Sequence, residues 1–375
     1  EFTMLKNSFT IATFAGDGIG HEITPACLDV VNAAVERLQR TNLGFALQFQ
    51  PLPGGAGCYA ETGEALPAAS IAAAKAADAI LLAAMGLPDV RYPDGTEITP
   101  QVDMRMILGL YAGVRPAKSI AGAPGPLSDP QAREIDFVLI RESTEGLFKE
   151  MKQGQVIDDR EARDSLVITR AGVERVTEFA FKLARERKAL GGRGLVTCVD
   201  KANVFRSFAF FRKVFDEVAA RHPDIEADHA YVDATALNFI RRPWSFDVLV
   251  TENMFGDILS DLAAGLIGGL GMAPSADIGD DAAVFQPCHG TAPDIAGQGK
   301  ANPIAMFLSA AMMLEWLGRK HGSEGPVKAG ALIRAAVERA LGADAILPME
   351  QGGSAGTQAI TDAVVRNVNQ LPLSG

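Results

Sequence analysis

The chain is poor in cysteine: 375 residues contain four, Cys27, Cys58, Cys198 and Cys288, none in a Cys-x-x-Cys spacing. A disulfide framework or a cysteine-held metal is therefore not expected, and a reducing, cytoplasmic setting is. Basic blocks are missing too. With 35 Lys+Arg against 46 Asp+Glu and a net charge of −11, the surface repels phosphodiester backbones and anionic lipid heads, so neither nucleic acid nor membrane is an expected partner. Long apolar runs are absent. Ala263–Pro274 is broken by glycines and Ile304–Leu314 stops at Glu315, both short of the ~20 residues that span a bilayer. Glu1-Phe2-Thr3 ahead of Met4 reads as a cloning remnant, with no signal segment after it. No internal repeat or low-complexity tract is visible. What remains is ordinary folded material, 48% apolar and 22% charged, with length for two domains at roughly 150 residues each.

Strands and helices alternate. Phe9–Ala15 reads as a strand ending in Gly16-Asp17-Gly18-Ile19-Gly20, and His21–Arg40 carries apolar residues at helical spacing. Phe45–Leu52 reads as strand, Pro67–Ala77 as helix and Ala79–Ala84 as strand, which implies an α/β fold with a mostly parallel sheet. The middle differs: after the strand Asp136–Ile140, the polar run Arg141–Arg163 and Ser165–Thr169 suggest hairpins or an arm. Further along, Arg170–Lys188 and Ala202–His222 read as helices, and Gly194–Val199, Asp228–Val232 and Phe246–Thr251 as strands. Gly271–Gly299, rich in Gly, Pro, Ala and Asp, reads as a long functional loop before the helices Ile304–Arg319, Val327–Leu341 and Thr357–Asn369.

The first glycine turn is not a dinucleotide fingerprint. Its spacing is GxGxG rather than GxGxxG, and Phe45–Leu52 lacks the acidic residue that would hold a ribose, so a tight turn bordering a site fits better. Asp257 and Asp261 stand one turn apart at the start of a helix. They are either a solvated first turn or two ligands of a hard cation, with Asp233 able to give a third oxygen; an all-carboxylate set selects Mg²⁺ or Mn²⁺ over Zn²⁺. Arg105, Arg115 and Arg141 are each readable as surface ion pairs, but convergent guanidinium forks would suit a dicarboxylate. Lys201 is a lone candidate lysine. In the loop Gln286–Gly297, small residues around His289 and Thr291 let backbone approach a flat ligand, and Asp294 offers an acceptor to a pair of hydroxyls.

Together these motifs resemble the β-decarboxylating dehydrogenases, the isopropylmalate, isocitrate, homoisocitrate and tartrate/D-malate enzymes, from about Phe9 to Asn367. The resemblance implies a two-domain isopropylmalate-dehydrogenase-like fold whose NAD site is not a Rossmann site. The larger domain would be residues 4–110 plus 268–375, with the mostly parallel sheet, and the smaller 111–267. It makes His289, Gly290, Thr291, Ala292, Asp294 and Ile295 the adenosine loop, with Asn302 and Asn203 as further cofactor contacts. An acid at Asp294 favours NAD, since it would repel the 2′-phosphate of NADP. It gives Arg105, Arg115 and Arg141 the malate carboxylates, Asp233, Asp257 and Asp261 the metal, and Lys201 with Asp233 the proton transfer. Lys201 and Asp233 would come from a neighbouring subunit, so a homodimer with shared active sites is implied.

Four positions depart from the family pattern. Phe148 stands where relatives carry the tyrosine thought to protonate the enol, and Gln286 where they commonly have Glu. Gln101 and Val102 replace the leucine pair that covers an isopropyl group, so a small or polar substituent is expected. The implied activity is metal-dependent, NAD-linked oxidation, with decarboxylation, of a (2R)-2-hydroxy dicarboxylate such as D-malate, tartrate or a 3-substituted malate. The alternatives are a non-catalytic or regulatory paralogue that binds ligand without full turnover, and a metal-binding scaffold without cofactor.

Overall fold

The apolar opening run forms β1 (Ser8–Gly16), and α1 (Gly20–Gln39) buries Ile23, Cys27, Val30, Val31, Ala34 and Leu38 along one stripe. The chain continues through β2 (Ala46–Pro51), α2 (Ala56–Thr62), α3 (Ala68–Ala76), β3 (Ala79–Ala84), α4 (Pro100–Ile107), β4 (Ala112–Lys118) and β5 (Asp136–Glu142). A small hairpin, β6 (Gln155–Ile157) and β7 (Glu161–Arg163), leads to α5 (Arg170–Ala189), β8 (Leu195–Asp200), α6 (Arg206–Ala219), β9 (Glu226–Tyr231), α7 (Val232–Arg241), β10 (Val248–Thr251) and α8 (Asn253–Leu266). β11 (Pro274–Ile278), β12 (Ala283–Pro287), α9 (Ile304–His321), α10 (Glu324–Leu341) and α11 (Thr357–Gln370) complete the chain. This computed structural model describes residues 6–373; the segment Glu1–Thr3 lies outside them.

Ten strands form one sheet in the order β2-β1-β3-β12-β11-β4-β5-β10-β8-β9. Each outer half is parallel: β2, β1, β3 and β12 on one side, β5, β10, β8 and β9 on the other. The pairings β12 with β11, β11 with β4 and β4 with β5 are antiparallel, so the two halves run in opposite directions and meet at β11 and β4. Strands buried on both faces read as continuous apolar runs, as β3 does in Ala-Ile-Leu-Leu-Ala-Ala. α9 is buried almost all round, which explains the apolar stretch Ile304–Leu314 as a core helix. Among the described residues, no helix is long and apolar enough to cross a membrane.

Several element assignments are corrected. Gly271–Gly299 is not one loop, because β11 and β12 form a fully buried hairpin within it. Residues such as Pro274, Ser275 and Asp277 hide a strand that is set by its position between two neighbours rather than by β-propensity. α6 begins at Arg206, not Ala202, because the Asp200 carboxylate takes the Ala202 N–H (2.9 Å) and holds Arg212, fixing Lys201–Phe205 as a turn. Val232 opens α7 instead of closing β9, which puts Asp233 in a helical first turn. The elements α2, α4, β4 and α7 had no signal strong enough to be expected. The arm expected in Arg141–Arg163 is present as the exposed hairpin β6–β7, turned at Asp158 and Asp159, both at φ 53°.

Candidate active site

Where the two halves of the sheet meet, a cavity of about 260 Å³ opens beside the ends of β3, β4, β5 and β12. It gathers Gln101, Val102, Arg105, Arg115, Arg141 and Phe148 with Asp257, Asp261, His289 and Gly290, residues from across the chain. The expected dicarboxylate arginines are thus brought together with two of the expected metal carboxylates.

Arg141 is the penultimate residue of β5 and is buried. Its Nε donates to Asn253 Oδ1 (2.8 Å) and its Nη1 to Asp257 Oδ1 (2.5 Å), while the guanidinium lies 5.1 Å over the Phe148 ring. α8 comes this close because residue 256 is glycine; a Cβ there would stand 2.7 Å from the Arg141 side chain. α8 itself starts on Glu252, whose carboxylate accepts the Phe255 N–H (2.6 Å). Burial, and then the charges of Arg105 and Arg115, pull the Arg141 guanidinium down to about 10.

Beneath the other two arginines lies a residue that sequence reasoning passed over. Asp277, 1% exposed on β11, accepts Arg115 Nη2 at 3.1 Å on Oδ1 and Arg105 Nε at 3.3 Å on Oδ2. Burial pushes this carboxyl up, but Arg105, Arg115 and Arg141 together hold it below the usual carboxylate range. Its signal was the alternation Ser275-Ala276-Asp277, lost in a segment read as loop. Arg115 also donates Nη1 to the Ala276 carbonyl (2.9 Å), so both ends of its fork are fixed.

Asp257 and Asp261 stand at the mouth of the cavity. Burial, then the neighbouring Asp257 charge, pushes the Asp261 carboxyl up. Two carboxylates that repel each other across one helical turn fit a divalent cation as two of its ligands. A complete set is not gathered: among the described residues no group of three His, Cys, Asp or Glu could hold a metal. Asp233 pairs instead with Lys201 (2.9 Å), and neither lines the arginine cavity. The Asp233 side chain is 70% exposed, the hydrogen bond from Lys201, and to a lesser degree its charge, lower the Asp233 carboxyl, and Asn203 is exposed nearby in sequence.

From the cavity, the loop after β12 runs back against the first glycine turn. His289 and Gly290 line the cavity, Nδ1 of His289 is 2.8 Å from the Gly290 carbonyl, and Nε2 is buried without a partner. Burial lowers the His289 imidazole, so it stays neutral at pH 7. The Thr291 carbonyl accepts the Ile19 N–H (2.8 Å), and only glycine fits at 18, at φ +56° with Thr291 O 2.1 Å from where a Cβ would sit. Glu22 clasps the far end by accepting the Gly297 and Gly299 N–H groups, both at 2.8 Å, a role not anticipated from sequence. Between these fixings, Ala292 takes a φ of 39°, Asp294 is exposed and Ile295 is half-buried. Asn302 is buried, with Nδ2 on Glu350 (3.1 Å) and Oδ1 accepting the Ile304 N–H (3.1 Å). Asp17 anchors the turn from below, accepting the N–H groups of Ala56, Gly57 and Gly86.

Residues 10–364 match the isocitrate/isopropylmalate dehydrogenase family. A 3-isopropylmalate/3-methylmalate dehydrogenase of Methanocaldococcus jannaschii is 40% identical over 365 residues, 96% of this chain and 99% of the relative. A homoisocitrate dehydrogenase of the same organism is 40% identical over 368 residues, covering 96% of this chain and 98% of the relative. The crystal structure of an isocitrate dehydrogenase from Methylococcus capsulatus superposes with a TM-score of 0.83 at 36% identity, over 96% of this chain and all of that one.

Proposed function

Because the chain belongs to the isocitrate/isopropylmalate dehydrogenase family and is therefore a dehydrogenase, we propose that it oxidises a (2R)-2-hydroxy dicarboxylate with NAD and Mg²⁺ or Mn²⁺, and decarboxylates the product. The observation that carries this reading is the single cavity where three arginines and a pair of aspartates converge. The guanidinium groups hold the substrate carboxylates, Asp257 and Asp261 hold the cation, and His289 to Ile295 with Asn302 hold the cofactor, Asp294 on the ribose hydroxyls. When bound, the cation would supply stabilisation of negative charge on the substrate oxygen, and NAD would supply the hydride acceptor. Lys201, kept beside Asp233, takes the hydroxyl proton. Phe148 has no proton to give and braces Arg141 instead, so the proton that quenches the enol comes from water or Lys201.

Lys201 and Asp233 reach the cavity from a second copy of the chain. What supports this is the apolar surface next to them: Leu237 and Ile240 on α7 and Ile258 on α8 are 55%, 50% and 60% exposed on two helices that pack together. The residues 4–110 with 268–375, and 111–267, are proposed as the two domains, meeting at β11 and β4. The four free thiols suit the cytoplasm. The side of the cavity lined by Gln101 and Val102 favours a small or polar substituent at C3. NADH formation by the purified protein with Mn²⁺ and D-malate, tartrate, methylmalate and isopropylmalate tests the reading; no turnover on any of them, with ligand still bound, would favour a non-catalytic paralogue.

A further inference from the structure

Resting on the proposal that the arginine cavity holds the substrate, we propose that Asp277 is a positioning and specificity-determining residue that restricts the site to substrates with two carboxylates and excludes a third.

Asp277 lies below the cavity and is not among the residues that line it, so it does not touch substrate directly. What it touches are two of the three arginines that would, at 3.1 and 3.3 Å, together with the Ser143 hydroxyl at 3.5 Å. The contact is built by the fold. β11 sits antiparallel between β4 and β12, which puts Asp277 opposite Gly113 and Val284 at the centre of the sheet. Gly113 leaves room for the Ser143 hydroxyl that meets Asp277, since a Cβ there would stand 2.5 Å from Ser143 Oγ. Arg105 donates its Nε to Asp277, which holds one edge of its guanidinium; Arg115 is fixed at both ends. A carboxylate acting only as a spacer would not need two cationic partners. A carboxylate acting on charge would sit where this one does.

The charge count gives the consequence. Three guanidinium groups face three carboxylates, Asp257, Asp261 and Asp277, so the chain's own charges at the cavity cancel. A divalent cation and a dicarboxylate cancel in turn, and the Lys201–Asp233 pair adds no net charge. A third substrate carboxylate would have no positive partner among the lining residues, because His289 is held neutral by burial. Without Asp277, one guanidinium charge would be free to receive it. At a few ångströms in a partly buried site, one charge is worth about a tenfold change in affinity or more.

The test is calorimetric binding of two unreactive probes that share one carbon frame, methylsuccinate and tricarballylate, to the whole protein in Mg²⁺. Wild type is expected to bind methylsuccinate at least about tenfold more tightly, and Asp277→Asn to narrow or reverse that ratio by about tenfold. Pairing Asp277→Asn with Arg105→Gln, which removes one charge of each sign, is expected to return the ratio toward wild type; a purely structural role would not produce that rescue. Wild type that binds tricarballylate as well as methylsuccinate overturns the inference even if no variant folds. So does a ratio that Asp277→Asn leaves unchanged. If wild type binds neither probe, the reading of the cavity as a carboxylate site falls, and this inference with it; if methylsuccinate binds and only the ratio fails, the site stands and the role of Asp277 alone is lost.

Discussion

The arginine cavity and the Lys201–Asp233 pair are both built from opposite charges, yet they sit in opposite environments. Arg115 and Asp277 are buried at the centre of a ten-stranded sheet with their hydrogen bonds satisfied inside one chain. Asp233 is exposed at the start of α7, on a surface whose apolar neighbours Leu237 and Ile240 are exposed too. Burial makes charge expensive unless every group is matched, so a chain that buries arginines must also bury their partners. Exposed charge carries no such demand, and a group left at the surface is free to serve a cavity in another copy. On the proposed reading, the difference separates what one chain organises alone from what it would contribute to a neighbour.

The largest effect should come from breaking the buried side. Arg115→Met leaves Asp277 with a single cationic partner, and the loss of half a buried pair should cost about 3–5 kcal/mol of stability, read from chemical denaturation. A loss below about 1 kcal/mol would mean the cavity is wetter than its burial indicates. On the exposed side, Lys201→Met should cost less than about 1 kcal/mol in stability, as surface pairs do, but about 10²–10⁴-fold in kcat with little change in substrate affinity. Equal losses in both measurements would erase the contrast.

A third way to sharpen it uses pH. Glu142 follows Arg141 on β5 and is 2% exposed, and burial raises its carboxyl to about 7 even though the N–H groups of Thr144 and Glu145 donate to it. The folded state therefore holds a proton that the unfolded chain has already released, so stability present below pH about 4.5 is lost as pH rises through about 7. The loss should approach about 3 kcal/mol, and Glu142→Gln should flatten it. A wild-type protein whose stability does not fall over that interval contradicts the assignment. The smallest effect belongs to the exposed Asp294: Asp294→Asn should weaken NAD binding by about 1–2 kcal/mol and narrow the gap to NADP, and a native preference for NADP would remove Asp294 from the ribose.

The parts legible in the sequence were those with a local signal. The alternation of strands and helices and the tight glycine turn follow from spacing and residue type within a few positions, while the arginines and aspartates of the cavity were joined into one site by the family resemblance. What escaped depends on partners distant in sequence. β11 became visible only once β4 and β12 flanked it, and Asp277 only once Arg105 and Arg115 were seen to reach it from more than 160 residues away. The clasp of Glu22 on Gly297 and Gly299, and that of Glu350 on Asn302, were hidden for the same reason.

The claim that active sites are shared between copies is tested most directly by complementation. Arg141→Gln disables the cavity and Lys201→Met the surface pair, so each protein alone should be almost inactive with NAD, Mn²⁺ and the best substrate. Unfolded together and refolded as a mixture, they should regain about a quarter of wild-type activity, because half of the random dimers are mixed and each mixed dimer has one intact site. A mixture no more active than its components, although wild type survives the same refolding, would contradict shared sites, and a Lys201→Met protein that keeps full activity on its own would place Lys201 outside the catalytic centre.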